Sequence, residues 1–213
     1  MNFKYFHSGR LIVFILILAL VFQPISNKLE AWVSKYEYLS SIATYIDVFS
    51  TLGLISLTFA FINYIGWKWK IFQWLINVPN LRGRYKGKLM SSYTDNAGNN
   101  TEKDCVIEIT QTASSINIHS YYGDAHTGQV TSQSFSSLVE IVKDTNGHFL
   151  LYYVFSNEPE PLSPDLFDHS GTSRLKYLTD SKNLVGEYYN KRLNRGSINV
   201  VFKQKKLLGC LYS

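Results

Sequence analysis

The sequence predicts two folds in one chain: an N-terminal α-helical transmembrane hairpin, followed by an all-β domain that closes into an eight-stranded antiparallel up-and-down barrel. Residues 1–75 hold 46 apolar side chains and nine charges, whereas residues 76–213 hold 51 apolar side chains and 28 charges. The hydrophobic period also changes from helical to alternating near residue 81. A single globular core is therefore excluded, and the chain divides into a membrane part and a soluble part.

The first predicted helix covers about residues 10–27. Leu11–Asn27 contains no charge, and Lys4 and Arg10 precede it. A signal peptide begins in the same way, but no small-x-small cleavage site follows this segment. An uncleaved transmembrane helix is therefore favoured over a signal peptide.

The second predicted helix covers about residues 42–67. This segment has 26 residues, and Asp47 near its start is its one charged residue. Its length exceeds the ~20 residues that a helix needs to cross the hydrocarbon core. Trp67, Trp69 and Trp74 then follow among lysines, as is typical of a membrane interface. The two helices form the hairpin of a domain over residues 1–75.

Charge placement predicts the orientation of this hairpin. Basic residues without acidic neighbours flank the outer ends of the two helices, whereas the loop between them balances its charges. The flanking residues are Lys4, Arg10, Lys68, Lys70, Arg82 and Arg84, and the loop residues are Lys28, Glu30, Lys35 and Glu37. The positive-inside rule predicts a multi-pass protein of the bacterial inner membrane with both termini and the β-domain in the cytoplasm. Two cysteines without metal-ligand spacing agree with a reducing compartment.

The soluble domain, residues 76–213, is predicted from eight segments in which apolar and polar side chains alternate. Turn residues separate them, and Asn146-Gly147 is a strong hairpin signal. Closing such strands into a barrel removes exposed edges and leaves room for one small ligand; a β-sandwich is the alternative. The predicted strands are Arg84–Ser92, Cys105–Thr112, Ser115–Tyr122, Ser132–Lys143, His148–Ser156, Thr172–Leu178, Leu184–Asn190 and Ser197–Lys205.

Several short motifs follow the helical hairpin in a characteristic order. They are Pro79-x-Leu81-x-Gly83-x-Tyr85-x-Gly87-x-Leu89, Ser132-x-Ser134-x-Ser136, His169-x-Gly171, Leu184-x-Gly186-x-Tyr188 and the turn Arg192–Gly196. In this order, the sequence resembles the two-transmembrane, β-strand-rich effectors of cyclic-oligonucleotide-based anti-phage signalling (CBASS). One departure is Tyr85, which stands where the resemblance leads us to expect tryptophan.

The resemblance implies a cytoplasmic barrel that binds a cyclic dinucleotide made by a cognate nucleotidyltransferase after phage infection. Binding is then expected to drive homo-oligomerisation of the transmembrane helices, disruption of the lipid inner membrane and death of the cell by abortive infection. Two alternatives stay open. One is a membrane-anchored, lipocalin-like carrier or sensor of an apolar ligand, and the other is a structural anchor for another protein.

A cyclic dinucleotide offers two phosphates, two riboses and two base faces, so its site needs cationic, polar and aromatic side chains. Each candidate also has a structural reading as a solvated arginine, a packed tyrosine or a residue that orders a turn. The candidates for phosphate are Arg174, Arg192 and Arg195. The candidates for polar groups are Gln111, Ser134, Ser136 and His169. The candidates for base stacking are Tyr85, Tyr152 and Tyr188.

Other classes of function are disfavoured by the sequence. Residues 76–213 carry 15 basic and 13 acidic side chains, which is too balanced for general binding of DNA or RNA. The sequence shows no catalytic nucleophile motif, P-loop or zinc-binding spacing. We therefore expect a protein that is not an enzyme and that uses neither a cofactor nor a metal.

Overall fold

The structure, a computed structural model, describes residues 3–33, 35–36, 50–94, 98–160 and 167–212. It divides into two compact units. The first comprises residues 1–78 together with the turn 112–115, and the second comprises residues 79–111 and 116–213.

Helix α1, Ser8–Val33, dominates the N-terminal unit. Its 26 residues extend beyond the predicted range at both ends, and they are long and apolar enough to cross a membrane. Large apolar side chains such as Ile12, Leu16 and Leu20 are exposed along it. Within the described residues, α1 is the one helix that meets this length requirement.

Helix α2, Thr51–Tyr64, covers only part of the second predicted span. Ser50 caps its N-terminus by accepting a hydrogen bond from the backbone N–H of Gly53 at 3.0 Å. Its 14 residues rise about 21 Å, which is less than the hydrocarbon core of ~30 Å. The prediction of helix through residue 67 is wrong, because the chain turns into short 3₁₀ segments over Gly66–Lys68 and Lys70–Phe72. Residues 42–49 of the predicted span lie outside the described residues.

Aromatic packing holds the two helices of the N-terminal unit together. The ring of Phe59 on α2 meets Phe3 and Phe14 edge-on, with centroid distances of 5.3 Å and 5.8 Å. Asn63 at the end of α2 bonds the turn that belongs to this unit, since its Oδ1 accepts from Ser114 Oγ at 2.7 Å. This unit therefore has its own small apolar core.

The second unit is a closed antiparallel barrel in which each strand pairs with the next and β8 pairs with β1. This arrangement confirms the predicted eight-stranded barrel and excludes a sandwich. In the described part of the chain, the strands are β1 Gly83–Thr94, β2 Asn100–Gln111, β3 Ile116–Asp124, β4 Val130–Lys143, β5 Phe149–Pro159, β6 His169–Leu178, β7 Asn183–Asn190 and β8 Arg195–Gln204.

Two details of the predicted strands are corrected by the structure. Thr112 and Ser115 belong to the β2–β3 turn, where the N–H of Thr112 donates to the carbonyl of Ser115. The predicted Arg-rich turn ends earlier than Gly196, because Arg195 and Gly196 already lie in β8. Within the turn, Leu193 takes the left-handed backbone conformation, with φ of +63°.

The interior of the barrel changes in polarity along its axis. Near the end where β1 begins, fully buried apolar side chains such as Ile107, Ile109 and Leu184 fill the space between the strands. At the other end, β1, β3, β5 and β7 end and β2, β4, β6 and β8 begin. Polar side chains replace the apolar ones there, and the barrel opens into a cavity.

Candidate functional site

The cavity lies at the polar end of the barrel and has a volume of about 290 Å³. Seven of the eight strands, β1 to β7, supply inward-facing side chains to it, and the β7–β8 turn completes the wall. Its buried floor is formed by Leu89, Ser91, Tyr122, Ser132, Phe155, Asn157 and Tyr188. Its mouth is formed by Tyr93, Thr101, Lys103, Asp124, Thr131, His169, Asn190, Arg192 and Asn194.

Two aromatic rings of the floor lie over glycines of the neighbouring strand. A Cβ on Gly171 would come within 2.5 Å of the Phe155 ring, and one on Gly196 within 2.6 Å of the Tyr188 ring. Tyr188 is also fixed by its hydroxyl, which donates to Ser91 Oγ at 2.8 Å. The glycines therefore give the two rings room to lie against the wall, and they present flat apolar surfaces to the cavity.

The mouth of the cavity gathers positive charge. Lys103 on β2 donates from Nζ to Thr131 Oγ1 at 3.2 Å, and Arg192 projects from the β7–β8 turn. Burial lowers the pKa of Lys103, and the nearby positive charge of Arg192 lowers it further, while Asp124 opposes this shift. Burial also lowers the pKa of His169, and the charges of Arg192 and Lys103 add to that effect. Two cations and a neutral imidazole therefore share one small volume.

Carboxylate and amide groups complete the mouth. Asp124 closes the β3–β4 turn, since its Oδ1 accepts from the backbone N–H groups of His126 and Thr127 at 2.8 Å each. Asn190 orders the β7–β8 turn in the same way, because its Oδ1 accepts from the N–H groups of Arg192 and Asn194. These bonds fix the conformation of the turn that carries Arg192. Among the residues that the structure describes, the amide nitrogen of Asn190 has no hydrogen-bond partner, so its two donors can bond a ligand.

Hydroxyl groups form a layer directly below the floor. Tyr122 and Ser134 share a hydrogen bond between their hydroxyls at 3.3 Å. Ser120, Tyr153 and Ser173 lie beneath them as further buried hydroxyl groups, and both serine hydroxyls lie beside the hydroxyl of Tyr153. Burial raises the pKa of Tyr153, so its hydroxyl stays protonated and can donate.

Four of the ten candidates lie at or directly below the cavity. His169, Tyr188 and Arg192 line it. Ser134 is buried directly below, where it bonds Tyr122. The sequence order His169-x-Gly171 also has a structural meaning, because the Phe155 ring occupies the space above Gly171.

Three other candidates are used to hold the barrel together. Tyr85 is buried near the opposite end and donates from its hydroxyl to the carbonyl of Leu81 at 2.9 Å. Gln111 fixes the segment before β1, since its Oε1 accepts from Leu81 N–H at 2.7 Å. Its Nε2 donates to the carbonyl of Pro79. Ser136 accepts from the backbone N–H of Ile118 at a bulge in β4.

The remaining three candidates lie on the outer surface of the barrel. Arg174 Nε donates to the Tyr152 hydroxyl at 3.2 Å, and both side chains are exposed. Arg174 also approaches Glu187 at 3.9 Å. Arg195 stands at the start of β8, where its backbone N–H donates to Ser92 Oγ. Alternation along a strand sends these side chains outward, because their neighbours Ser173 and Gly196 face the interior.

The sequence analysis missed several residues of the mouth. Lys103 and Thr101 lie in the first half of β2, and Asn157 and Asn190 lie near the ends of β5 and β7. These positions have polar side chains on the inward face, so no alternation of apolar residues marks them. One feature of the sequence could have revealed them. The polar segment Asn100–Asp104 directly precedes a predicted strand, so the strand could have been extended into it.

The described part of the chain contains no cluster of three or more histidine, cysteine, aspartate or glutamate side chains that would hold a metal ion. The chemistry of the site is instead that of hydrogen bonding, charge and stacking. Cationic donors at the mouth suit an anion, amides suit base or sugar edges, and the aromatic floor suits a flat ring.

A closed eight-stranded barrel with such a cavity is typical of proteins that bind small molecules. Residues 76–202 match the family described as Cap15, cyclic dinucleotide receptor domain. This match covers more than half of the chain, and the chain therefore belongs to that family of CBASS effectors. Comparison with curated proteins gives no match.

Proposed function

We propose that this protein is an anti-phage effector whose barrel cavity binds a cyclic dinucleotide and whose membrane segment responds to it. The observation that carries the proposal is the pair of cations, Lys103 and Arg192, at the mouth of a cavity in a cyclic dinucleotide receptor domain. The two cations repel each other, and the carboxylate of Asp124 at the mouth offsets this repulsion only for Lys103. A ligand with phosphates removes this repulsion and gains charge-assisted hydrogen bonds.

Each wall of the cavity has a role in this proposal. Arg192 and Lys103 contact the phosphates, with the forked guanidinium giving orientation and the ammonium giving charge. Tyr93 at the mouth and Phe155 in the floor offer faces for base stacking. Asn157 and the amide nitrogen of Asn190 are positioned to bond base or ribose edges.

The ligand contacts assigned here differ from the sequence candidates. His169, Tyr188, Arg192 and Ser134 are retained, because they lie at or directly below the cavity. The other six receive no ligand contact in this proposal. They bond the barrel framework or face outward, as is the case for Tyr85, Gln111, Ser136, Tyr152, Arg174 and Arg195.

The proposal describes a receptor and not an enzyme, with no cofactor beyond the ligand. The family description as a receptor domain supports this assignment. An apolar ligand, as in a lipocalin-like carrier, is disfavoured by the charged groups of Lys103, Asp124 and Arg192 at the mouth. Burying an apolar tail past them would cost desolvation of those groups.

The proposed output is at the inner membrane. A nucleotide from a cognate nucleotidyltransferase favours an assembled state, the transmembrane segments associate, and the bilayer is disrupted with death of the infected cell. Such a ligand acts by binding the assembled state more tightly than the monomer. The exposed apolar side chains of α1 support membrane insertion. The charge pattern of the flanks supports a multi-pass chain with the barrel and both termini in the cytoplasm.

The test uses the full chain in detergent with a panel of cyclic dinucleotides that covers all pairings of the common bases. Thermal unfolding and titration calorimetry are measured for each compound. We expect at least one to bind, and at a hundred times its Kd it should stabilise the chain by ~2.7 kcal/mol. Linear dinucleotides of the same bases are the control. Absence of heat and of any melting shift across the panel would contradict the proposal.

Membrane disruption needs its own measurement. The full chain is reconstituted in vesicles of phosphatidylethanolamine and phosphatidylglycerol that contain a fluorescent dye. The ligand identified by calorimetry should release the dye and should also convert the protein to larger assemblies in sedimentation. Dye release that is equal with and without ligand would contradict ligand gating, whereas binding without release would contradict the membrane output.

A further inference from the structure

Two hydrogen-bond donors at the mouth of the cavity converge on one backbone oxygen. Arg192 Nη2 donates to the carbonyl oxygen of Phe167, and His169 Nδ1 lies 3.2 Å from the same oxygen. A carbonyl oxygen only accepts, so the proton of the neutral imidazole must be on Nδ1. The carbonyl of Phe167 is therefore held by two side chains that come from β6 and from the β7–β8 turn.

These two donors lie near Lys103 and near the carboxylate of Asp168. Lys103 and Arg192 both act electrostatically on His169, which means that the three groups are close together. A peptide carbonyl is a neutral acceptor, and its bonds to a guanidinium are weaker than those of an anionic oxygen. A phosphate oxygen at the same position would gain the same two bonds together with the attraction of two cations.

We propose that the Phe167 carbonyl occupies a phosphate-oxygen subsite in the ligand-free protein, and that a phosphate of the bound cyclic dinucleotide displaces it. This inference rests on the proposed function. The guanidinium of Arg192 and the Nδ1–H of His169 exchange a neutral internal acceptor for a charged external one. No covalent bond changes.

This exchange has a consequence for affinity and for signalling. The ligand binds the form in which the carbonyl has left, so its apparent affinity is reduced by the fraction of molecules in which the carbonyl stays bound. Release of the carbonyl also frees the backbone just before β6, where the Phe167 side chain is exposed. Binding of the phosphate is thereby linked to the position of Phe167, whose side chain is exposed.

The sequence allows a direct observation of this carbonyl. The dipeptide Phe-Asp occurs once in the chain, at Phe167-Asp168. Protein labelled with ¹³C at phenylalanine carbonyls and ¹⁵N at aspartate therefore gives a single carbonyl–nitrogen correlation by NMR. The full chain in detergent micelles is titrated with the cyclic dinucleotide that gives the strongest heat in the panel.

Displacement should move the Phe167 carbonyl resonance upfield, since the oxygen loses its donors. The ligand-free Arg192→Ala variant should move it in the same direction. The Lys203→Ala variant, with a substitution on the exposed outer face of β8, should leave it unchanged and keep ligand binding.

Three outcomes decide the proposal. An upfield shift that saturates together with the binding heat supports displacement. Binding heat with an unmoved Phe167 resonance overturns displacement and leaves the proposed function standing. Absence of binding heat for every compound overturns both. Inorganic pyrophosphate serves as a second probe, because a shift with it shows that the phosphate group alone takes the position.

Discussion

Arg84 and Glu108 form a buried ion pair on the outer side of the barrel, with Arg84 Nη1 donating to Glu108 Oε1 at 2.6 Å. The C-terminal segment covers this pair. Arg84 also donates to the carbonyls of Cys210 and Leu211, and Glu108 accepts from the backbone N–H of Leu208 at 2.8 Å. The pair therefore fastens the last residues of the chain across strands β1 and β2.

Replacing Glu108 should strongly destabilise the protein. In Glu108→Ala the Arg84 guanidinium remains buried without its carboxylate, and loss of one partner of such a pair costs ~3–5 kcal/mol. For a chain of this size, that is a fall in Tm of roughly 6–20 °C. Thermal unfolding of the full chain in detergent measures the effect.

The matched control for this change is Glu102→Ala. Glu102 pairs with Lys88 on the same two strands at 2.9 Å, but both side chains are about half exposed. A surface pair of this kind contributes ~0–1 kcal/mol. Equal losses of stability in the two variants would contradict the role assigned to the buried pair.

Arg192 and Arg195 are three residues apart and should differ in ligand binding. Arg192 lines the cavity, whereas Arg195 stands on the outer surface at the start of β8. Arg192→Ala should lose ~1.5–3 kcal/mol of binding, as expected for a hydrogen bond to a charged group. This corresponds to a roughly 10–100-fold rise in Kd. Calorimetry with the bound cyclic dinucleotide measures both variants, and a larger loss in Arg195→Ala would reverse the assignment.

Lys103 should improve binding at the expense of stability. Burial lowers the pKa of Lys103, so the charged form is less favourable in the folded chain than in the unfolded one. Because the folded pKa is depressed, the cost is present at neutral pH and falls away as the pH rises past that pKa. Lys103→Met should therefore keep or raise the Tm at pH 7 while it weakens ligand binding by about tenfold or more.

Lys88→Met is the comparison for that variant. Lys88 lies in β1 beside Glu102 and Asp104 and is about half exposed. Its side-chain hydrogen bonds to Glu102 and Asp104 raise its pKa, which is the opposite direction. Unchanged ligand affinity in Lys103→Met would remove Lys103 from the proposed phosphate site.

His169 should make stability and ligand affinity depend on pH in opposite directions. Its pKa is lowered by burial and by the nearby cations, so the unfolded chain takes up a proton near pH 6.5 more readily than the folded chain does. Stability should therefore fall as the pH drops below about 6.5. A bound phosphate favours the imidazolium, so affinity should rise over the same interval.

The difference between the wild-type chain and His169→Asn isolates this effect. Asparagine keeps a donor near the position of Nδ1 but does not titrate. The comparison is needed because burial also lowers the pKa of His119, which lies on the outer surface of the barrel. Kd and Tm are measured for both proteins at pH 7.5 and at pH 5.5. The change between the two pH values should be smaller in the variant, and equal changes in both proteins would contradict the prediction.

The barrel was predictable from the sequence because most of its strands alternate strictly. Ile107 and Ile109 face inward and alternate with Glu108 and Thr110. Such alternation predicts a β-strand with one buried face. Strand β2 was predicted to begin at Cys105, although it begins at Asn100. Its first five residues are polar on both faces, since the inward ones line a cavity and not a core.

The same property explains which site residues were missed. Lys103 is indistinguishable from a solvated lysine until its strand partners Leu89 and Asp124 are known. Arg174 shows the converse, because a strand arginine faces in or out according to the register of its strand, which the sequence around it does not fix. His169 and Arg192 were identified through the resemblance to a family, and their side chains do line the cavity.

The closed hydrogen-bonded ring of β1 to β8 limits how copies of this domain associate. Each of the eight described strands already has a partner on both sides, so no backbone edge is available to extend the sheet into a neighbouring molecule. If copies of this barrel associate, their contacts must therefore be made by side chains. Substitutions of outward-facing residues are consequently the changes that should separate nucleotide binding from self-association.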